Sequence, residues 1–162
     1  MTTQQDLPSH GSFAASDLDS IEPGATTTFA KTVSESDIYG FSGITGDFAG
    51  NHVNEQYMST TPYGERIAQG MLVLGYTTAA SSAFGERYRL HAVSAGYEGV
   101  RFVKPVFIGD TVNVEYTLER IDTEKRRLHN KVTVTNQHGE VVLVGVHLLA
   151  IMPDQLKLGA AQ

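Results

Sequence analysis

Residues 67–85, IAQGMLVLGYTTAASSAFG, form the stretch that most limits the folds open to this chain. They predict one long helix of about five turns, at 3.6 residues per turn. The apolar residues leave no clearly polar face, and a helix that is apolar all round is a buried one. We expect it to end at Gly85, because glycine is favoured just past the end of a helix. The rest of the chain must therefore supply the elements that cover this helix.

After residue 90 the sequence pattern changes from that of a helix to that of strands. One further strand is predicted before the long helix, at 26–33 (TTTFAKTV). Residues 109–122 alternate with a period of two, as a half-buried strand does. The apolar positions of this alternation are Val112, Val114, Tyr116 and Leu118. Two further strands are predicted on either side of a hairpin turn at Gly139. We also predict one long or bent strand over 92–110, with Pro105 marking an edge or a bulge.

Two short helices are predicted between the first strand and the long helix. Ser34 and Asp37 fit the capping-box pattern, which places a helix at 35–43. Asn54 is a good N-cap residue and places a second short helix at 55–60. Helices and strands are thus segregated along the chain, which indicates an α+β fold with a largely antiparallel sheet.

The length of 162 residues fits a single domain. We place this domain at residues 24–155, between a flexible N-terminal tail at 1–23 and a C-terminal tail at 156–162. A sheet of about five strands is small for covering an apolar helix on nearly all sides. The sequence therefore favours a homodimer, or a higher homo-oligomer built from dimers, in which a second copy covers what the first leaves open.

The composition disfavours several kinds of partner and site. The net charge of −6 argues against nucleic acid, which binds clustered Lys and Arg. No run approaches the roughly 20 apolar residues that span a membrane, and the N-terminus shows no secretory pattern. The chain has no cysteine, so disulfides and thiolate metal sites are impossible. We therefore expect a cytoplasmic protein that binds neither nucleic acid nor membranes.

The stretch GITGDFAGNH places Asp47 and His52 five positions apart, with small residues around them. This spacing suits neither one face of a helix, where neighbours are three or four apart, nor one face of a strand, where they are an even number apart. A loop, or a bend between two short helices, would bring both side chains to one point. Such a pair is suited to general acid–base chemistry.

Longer motifs around this pair resemble those of one enzyme family. The stretch FSGITGDFAGNHVNEQYMSTTPYGERIAQGMLVLGY resembles the MaoC-like, or R-specific enoyl-CoA hydratase, family of hot-dog-fold dehydratases. Its Asp, four residues, His spacing and its later Gly-Met pair carry the resemblance, and VRFVKPVFIGDTV adds a matching strand motif. The resemblance covers about residues 20–153. It implies a hot-dog fold, in which an antiparallel sheet wraps around a long central helix.

The resemblance also implies an activity, the reversible addition of water to an α,β-unsaturated acyl thioester. It assigns activation of the water and delivery of the proton to Asp47 and His52, without settling which is the base and which the acid. It assigns the oxyanion site to the backbone N–H of Gly70, near the start of the long helix. A helix N-terminus offers free N–H groups and the positive end of its dipole.

Four further residues are expected near this site. Asn51 is expected to orient His52 or the water, and Thr78 matches a position where the family often has a hydroxyl. Met71 and Phe48 are candidates for lining an acyl tunnel. The resemblance further implies R-stereochemistry and a site at a dimer interface. We expect no metal and no separate cofactor, since coenzyme A is part of the substrate.

The chain departs from the family pattern at two places. Ala49 and Gly50 stand where the family often has Asn-Pro, and Gln69 stands where it often has His. These changes leave two alternatives open: a non-catalytic subunit that binds acyl thioesters, and a thioesterase of the same fold. An acyl-carrier-protein thioester is an alternative substrate to a CoA thioester.

Overall fold

The structure of the chain is a computed structural model that describes residues 21–152. Most of the predicted N-terminal tail and the whole predicted tail at 156–162 lie outside the described residues, so the domain boundaries stay predictions. The elements in order are β1 (Thr26–Thr32), α1 (Glu35–Thr45), α2 (Gly50–Val53), α3 (Glu55–Met58), α4 (Gly70–Arg87), β2 (Ala92–Phe102), β3 (Thr111–Asp122), β4 (Arg127–Thr135) and β5 (Val141–Ile151). No helix within 21–152 has the length and apolar character needed to cross a membrane.

The strands form one five-stranded sheet in the order β1-β3-β4-β5-β2, and every neighbouring pair is antiparallel. Helix α4 packs against β1 and β3. The predicted α+β class and antiparallel sheet are confirmed. The half of the sheet formed by β5 and β2 is left largely clear of α4, and two separate cavities lie between α4 and β2, one near each end of the helix.

The core lies between α4 and the face of the sheet that α4 covers. The alternating positions of β3 are buried, as the period of two predicts. Phe84 of α4 meets Tyr116 of β3 edge to face, with the ring centroids 5.6 Å apart. Burial of side chains of this size stabilises each by roughly 1.5–3 kcal/mol, which is more than the weak helix propensity of the Ser- and Thr-rich α4 could supply.

Both ends of α4 differ from the sequence prediction. The helix begins at Gly70 because Ala68 donates its N–H to Val106 O at 2.7 Å, which holds the preceding residues extended. The predicted stop at Gly85 is wrong, since the helix continues to Arg87. Continuation brings the Tyr88 ring to 4.8 Å from Phe84, and this packing outweighs the cost of a helical glycine.

One face of α4 is not covered by the described residues of this chain. Met71 is 57% exposed, and Gly75, Thr78 and Ser82 continue the exposed face toward the C-terminal end of the helix. The expectation of burial all round is therefore wrong for a single chain. Beyond Met71, small residues leave this face without large side chains that would block an approaching chain or ligand.

Strand β2 is shorter than predicted and is an edge strand. It ends at Phe102, and Pro105 lies beyond it in the connection to β3. The register of β2 against β5 shifts between Ser94 and Gly96 and again between Glu98 and Arg101. The irregularities thus fall at the glycines, which tolerate the bulge geometry, and not at the proline.

The predicted capping box at the start of α1 is confirmed. The Ser34 N–H donates to Asp37 Oδ2 at 2.8 Å, and Asp37 N–H donates to Ser34 Oγ at 3.3 Å. Lys31 Nζ lies 2.9 Å from the same carboxylate. Partial burial acts to raise the pKa of Asp37, but the hydrogen bonds from Lys31 and Ser34 outweigh it and lower the pKa to about 2.

Asp37→Ala is expected to lower the free energy of unfolding at neutral pH by about 1–2 kcal/mol, because it removes the cap and the ion pair. A lowered pKa means that this stabilisation is present above the ordinary carboxyl pKa near 4 and is lost as pH falls toward 2. Urea unfolding at neutral and acidic pH measures the difference. Glu124→Ala, an exposed acid in the β3–β4 turn, is the control. An equal loss in both variants would contradict the assignment.

Candidate active site

The end of α1 turns the chain so that Asp47 faces His52. Gly46 adopts φ +81°, a left-handed conformation that favours glycine, and its N–H donates to Ser42 O at 2.8 Å. Asp47 follows directly, and α2 then carries His52. Asp47 Oδ2 lies 3.7 Å from His52 Nε2. The bend between two short helices thus brings the pair together, as the spacing predicts.

The tautomer of His52 follows from its partners. Nδ1 lies 2.7 Å from the Ile67 carbonyl oxygen, which can only accept, so Nδ1 carries the proton. In the neutral ring Nε2 then carries the lone pair, which accepts from Asn51 Nδ2 at 3.2 Å. The His52 ring is buried, whereas the Asp47 side chain is 44% exposed. The pair therefore combines a fixed imidazole with a carboxylate open to solvent.

The backbone around Ile67 fixes His52 relative to α4. The Ile67 N–H donates to Asn51 O at 3.1 Å, and its carbonyl accepts from the His52 ring. Because Gly70 begins α4 three residues later, these bonds set the distance from the imidazole to the helix N-terminus. Sequence reasoning missed Ile67, since a carbonyl group leaves no signature in residue type.

Arg66 joins the helices on either side of the segment that carries Asp47 and His52. Its guanidinium lies 2.8 Å from Glu35 of α1 and 2.9 Å from Glu55 of α3. The hydrogen bond that Arg66 donates to Glu35 raises the pKa of Arg66, and the one that it donates to Glu55 adds to this shift. Arg66 therefore stays charged and holds α1, α3 and the segment before α4 in one arrangement.

Gly70 lies at the N-terminus of α4 and lines the same cavity as His52. This catalytic cavity has a volume of about 460 Å³ and is lined by, among others, Asn51, His52, Tyr63, Gly70, Met71 and Phe102. The first N–H groups of a helix have no intrahelical partner, so they are free to bind an oxyanion. A Cβ at Gly70 would lie 2.9 Å from Phe102 Cε1. Glycine is therefore the residue that fits without moving the aromatic wall.

Gln69 ties the start of α4 to α1. Its Nε2 donates to Ser42 Oγ at 2.9 Å, and both side chains are buried. Its Oε1 has no hydrogen-bond partner among the protein groups of residues 21–152. Where the family often has His, this chain thus has an un-ionisable side chain that joins α4 to α1 through Ser42.

The other predicted site residues are divided between two places. Asn51 and Met71 line the catalytic cavity. Phe48 is 58% exposed and is not among the described residues that line it. Thr78 lines a second cavity and donates its hydroxyl to Gly75 O at 2.7 Å. The roles of all these residues, and of the Asp47–His52 pair in catalysis, stay predictions.

The second cavity has a volume of about 510 Å³ and lies between the C-terminal half of α4 and the start of β2. Buried His147 forms its floor. Tyr116 Oη lies 2.9 Å from His147 Nδ1, and Ser94 Oγ lies 2.8 Å from Nε2. The Tyr97 ring stacks on the imidazole at a centroid distance of 4.3 Å. Burial lowers the pKa of His147 to about 4, so the ring is neutral.

His147 is expected to make stability depend on pH. A histidine whose pKa is lowered in the folded state binds its proton first in the unfolded chain. Stability is therefore complete above the ordinary histidine pKa near 6.5 and falls by up to about 3 kcal/mol as pH drops toward 4. Urea unfolding across this range, compared between wild type and His147→Gln, isolates the effect. An unchanged slope in the variant would show that other groups cause it.

Comparison with known proteins defines the class. Residues 19–152 match the MaoC like domain, and the chain belongs to the MaoC-like dehydratase family. It is 39% identical over 130 residues to the (R)-specific enoyl-CoA hydratase of Rhodospirillum rubrum, covering 79% of this chain and 86% of the relative. It is 34% identical over 136 residues to the 3-hydroxybutyryl-CoA dehydratase of Methylorubrum extorquens, covering 83% of both.

Solved structures show the same fold. The R-hydratase PhaJ1 from Pseudomonas aeruginosa superposes with a TM-score of 0.71 at 28% identity, over 81% of this chain and 82% of that one. The hot-dog fold expected from the sequence is confirmed. Proteins named hydratase and dehydratase add and remove water, and the chain is an enzyme of this hydro-lyase class.

Proposed function

We propose that this chain is an (R)-specific enoyl-CoA hydratase that also catalyses the reverse dehydration of 3-hydroxyacyl-CoA. The observation that carries the proposal is the 3.7 Å approach of Asp47 Oδ2 to His52 Nε2, since His52 lines a cavity that also contains the N-terminus of α4 at Gly70. A base, an acid and an oxyanion site are the three groups that hydration of a conjugated thioester requires.

The spacing of the pair suits one shared water molecule. A water oxygen at about 2.8 Å from each heteroatom hydrogen-bonds to both, because a separation of 3.7 Å is less than twice that length. With Nδ1–H held by Ile67 O, Nε2 is the nitrogen of His52 that can accept a proton, in exchange for its 3.2 Å hydrogen bond from Asn51 Nδ2. The carboxylate of Asp47 is the other acceptor, and the static geometry fits either as the base.

The proton that the water loses and the proton that Cα gains can both be handled within the site. As the water oxygen bonds to Cβ, one member of the pair takes its proton, and the C=C electron pair moves toward Cα and the thioester oxygen. Free N–H groups at Gly70 stabilise that oxygen. A proton then reaches Cα, the carbonyl re-forms, and the pair returns to its starting protonation. No electron donor or acceptor is needed.

The names of the relatives support the choice of substrate and stereochemistry. Those at 39% and 34% identity are named for enoyl-CoA and 3-hydroxybutyryl-CoA, and the first is named (R)-specific. A relative at 29% identity is named for a 3-hydroxyacyl chain on acyl carrier protein. The higher identities favour coenzyme A as the carrier. We also propose the cytoplasm as the location.

We further propose that the enzyme is a homodimer. Strand β2 is an edge strand, and Val93, Phe102 and Val103 along and just beyond it are each more than half exposed. The exposed face of α4 lies beside it. A second copy would cover both surfaces and bury apolar area that otherwise faces water. Light scattering measures the mass in solution, and a monomer at micromolar concentration would contradict the proposal.

Incubation with crotonyl-CoA tests the proposed reaction. We expect the enoyl-thioester absorbance to fall, no free thiol to appear, and chiral analysis to identify (R)-3-hydroxybutyryl-CoA. Loss of absorbance accompanied by free thiol would indicate a thioesterase. No change with crotonyl-CoA, a longer enoyl-CoA or a branched one would refute hydration and favour a binding subunit.

A further inference from the structure

We infer that Arg66 is a positioning residue for the proposed hydration: its side chain holds the Ile67 carbonyl in place, and this carbonyl keeps the proton of His52 on Nδ1. The inference rests on the proposed function, because it takes His52 Nε2 to be the ring nitrogen that meets the shared water as an acceptor. Arg66 is not among the described residues that line the catalytic cavity. It therefore acts through the backbone and not on the substrate.

The carbonyl that accepts from His52 belongs to a segment outside the helices and the named strands, residues 64–68. On its C-terminal side this segment is anchored to the connection between β2 and β3. Ala68 donates its N–H to Val106 O at 2.7 Å, and Ile67 forms an isolated bridge with Phe107. On its N-terminal side, the side chain of Arg66 ties the segment to α1 and α3.

The guanidinium of Arg66 binds three groups on these two helices. Nη1 lies 2.8 Å from Glu35 Oε1 and donates to Tyr39 Oη at 3.3 Å, and Nε donates to Glu55 Oε2 at 2.9 Å. Glu35 and Tyr39 are four residues apart on α1, so they share one face of the helix. A planar guanidinium presents its donors in fixed directions and can bridge separate partners, whereas lysine has a single nitrogen.

The same two helices bound the segment that carries the proposed dyad. Asp47 follows the end of α1 at Gly46, and His52 lies in α2, directly before α3. Arg66 thus fixes both ends of this segment together with the carbonyl that the imidazole contacts. The Ile67 N–H also donates to Asn51 O at 3.1 Å. A shift of the chain at Arg66 would therefore change the 2.7 Å contact between Ile67 O and His52 Nδ1.

The charges around Arg66 indicate a role in position more than in overall stability. The carboxylates of Glu35 and Glu55 are 55% and 58% exposed, whereas the Arg66 side chain is only 14% exposed. Ion pairs with exposed partners contribute little to the stability of a fold. Without the guanidinium, however, two like charges would face the same space and repel each other. Removing Arg66 should thus displace α1 and α3 locally while the sheet and α4 stay folded.

The position of the Ile67 carbonyl decides which nitrogen of His52 is the acceptor. A neutral imidazole has one N–H and one lone pair, and the hydrogen bond at one nitrogen sets the state of the other. If the carbonyl moves away, the proton is free to move to Nε2, which then cannot accept from the water. Arg66 therefore preserves the protonation pattern that the shared water requires.

Kinetics of Arg66→Gln and Arg66→Lys test the inference. Arg66→Gln is expected to lower kcat for hydration of crotonyl-CoA on the order of 10²-fold, with KM nearly unchanged, because substrate contacts are kept. Arg66→Lys keeps one ion pair and should lie between wild type and Arg66→Gln. Arg120→Gln is the matched control and should keep wild-type activity, since Arg120 also contacts a carboxylate, at Asp122, and an imidazole, at His129, but lies on β3.

The tautomer of His52, measured by ¹⁵N NMR of the imidazole rings at mildly alkaline pH, separates positioning from a general loss of structure and requires no turnover. The signals of His52 are assigned by comparison with His52→Ala. We expect wild type to carry the proton on Nδ1 and Arg66→Gln to shift it toward Nε2. The ring of His147, which is buried beneath the other end of α4, should be unchanged and serves as the internal reference.

Two outcomes would overturn the inference: an unchanged kcat in Arg66→Gln, or a lowered kcat while the proton of His52 stays on Nδ1. If Arg66→Gln does not fold, the same two readouts in Arg66→Lys decide, since a wild-type tautomer there together with wild-type kcat would also contradict it. A tautomer shift in Arg66→Gln without hydration by wild type would refute the proposed reaction alone. Hydration by wild type with no tautomer shift in the variant would refute the positioning role alone.

Discussion

Asp47→Asn and His52→Ala are each expected to lower kcat/KM for hydration of crotonyl-CoA by about 10²–10⁴-fold. The asparagine keeps the size of the side chain but cannot accept a proton. The alanine removes the lone pair at Nε2 that lies 3.7 Å from the carboxylate. The absorbance of the enoyl thioester measures both effects, and thermal unfolding shows whether each variant keeps its fold.

A double variant tests whether Asp47 and His52 act together. If Asp47 and His52 act on one shared water, Asp47→Asn/His52→Ala should lose little more activity than the worse single variant. Two variants serve as controls, because they make the same kinds of change away from the site. They are Asp122→Asn at the end of β3 and His138→Ala in the β4–β5 hairpin. Multiplicative losses in the double variant would show that the two residues act independently, and normal activity in either single variant would remove that residue from the chemistry.

Gly70→Ala is expected to lower kcat by about 10²–10³-fold, the range for loss of an oxyanion donor, because alanine keeps the N–H but its Cβ would hold the thioester oxygen away from it. The added Cβ would lie 2.9 Å from Phe102 Cε1 and in the path of the thioester toward the free N–H groups of α4. Because the change removes stabilisation of developing charge, kcat should fall more than KM rises. Steady-state kinetics with crotonyl-CoA separates the two.

The neighbouring ring provides a further test. Gly70→Ala combined with Phe102→Ala relieves the contact with the ring but leaves the Cβ in place, and we expect activity to stay at least tenfold below that of Phe102→Ala alone. Gly40→Ala is the matched control, since a Cβ there meets no atom within 4 Å and alanine favours the helix by about 1 kcal/mol. Full recovery in the double variant would mean that Phe102, and not access to the helix N-terminus, limits the reaction.

Local sequence patterns predicted the parts of this fold that depend on a few neighbouring residues. The alternation in β3, the capping box of Ser34 and Asp37, the cap at Asn54 and the positive φ at Gly139 are all present in the structure. Each reflects a local rule, the period of a strand or the hydrogen bonds of a cap. The bend that joins Asp47 to His52 belongs to the same group, because it depends on two short helices and the glycine between them.

Predictions that depended on what packs against an element were less accurate. Gly85 did not end α4, because the contact of Tyr88 with Phe84 extends the helix. The all-apolar pattern of the helix predicted complete burial, yet the sheet of one chain covers only one side of it. The spacing of apolar residues in a sequence indicates which residues of one helix or strand share a face. It does not indicate how much of that face a neighbouring element covers.

The sequence by itself determined the α+β class, which follows from spacing and residue type, and the family, which follows from the resemblance of its motifs. It also predicted the pairing of Asp47 with His52, whose catalytic role stays a prediction. Only the tertiary structure decided how the site is held: the Ile67 carbonyl that fixes the tautomer of His52, the Arg66 pairs with Glu35 and Glu55, and the fit of Gly70 against Phe102. It also brought Ser94, Tyr116 and His147 together from three strands. Such contacts join residues far apart in the chain, and they exist only once burial has fixed the packing of the sheet and helix.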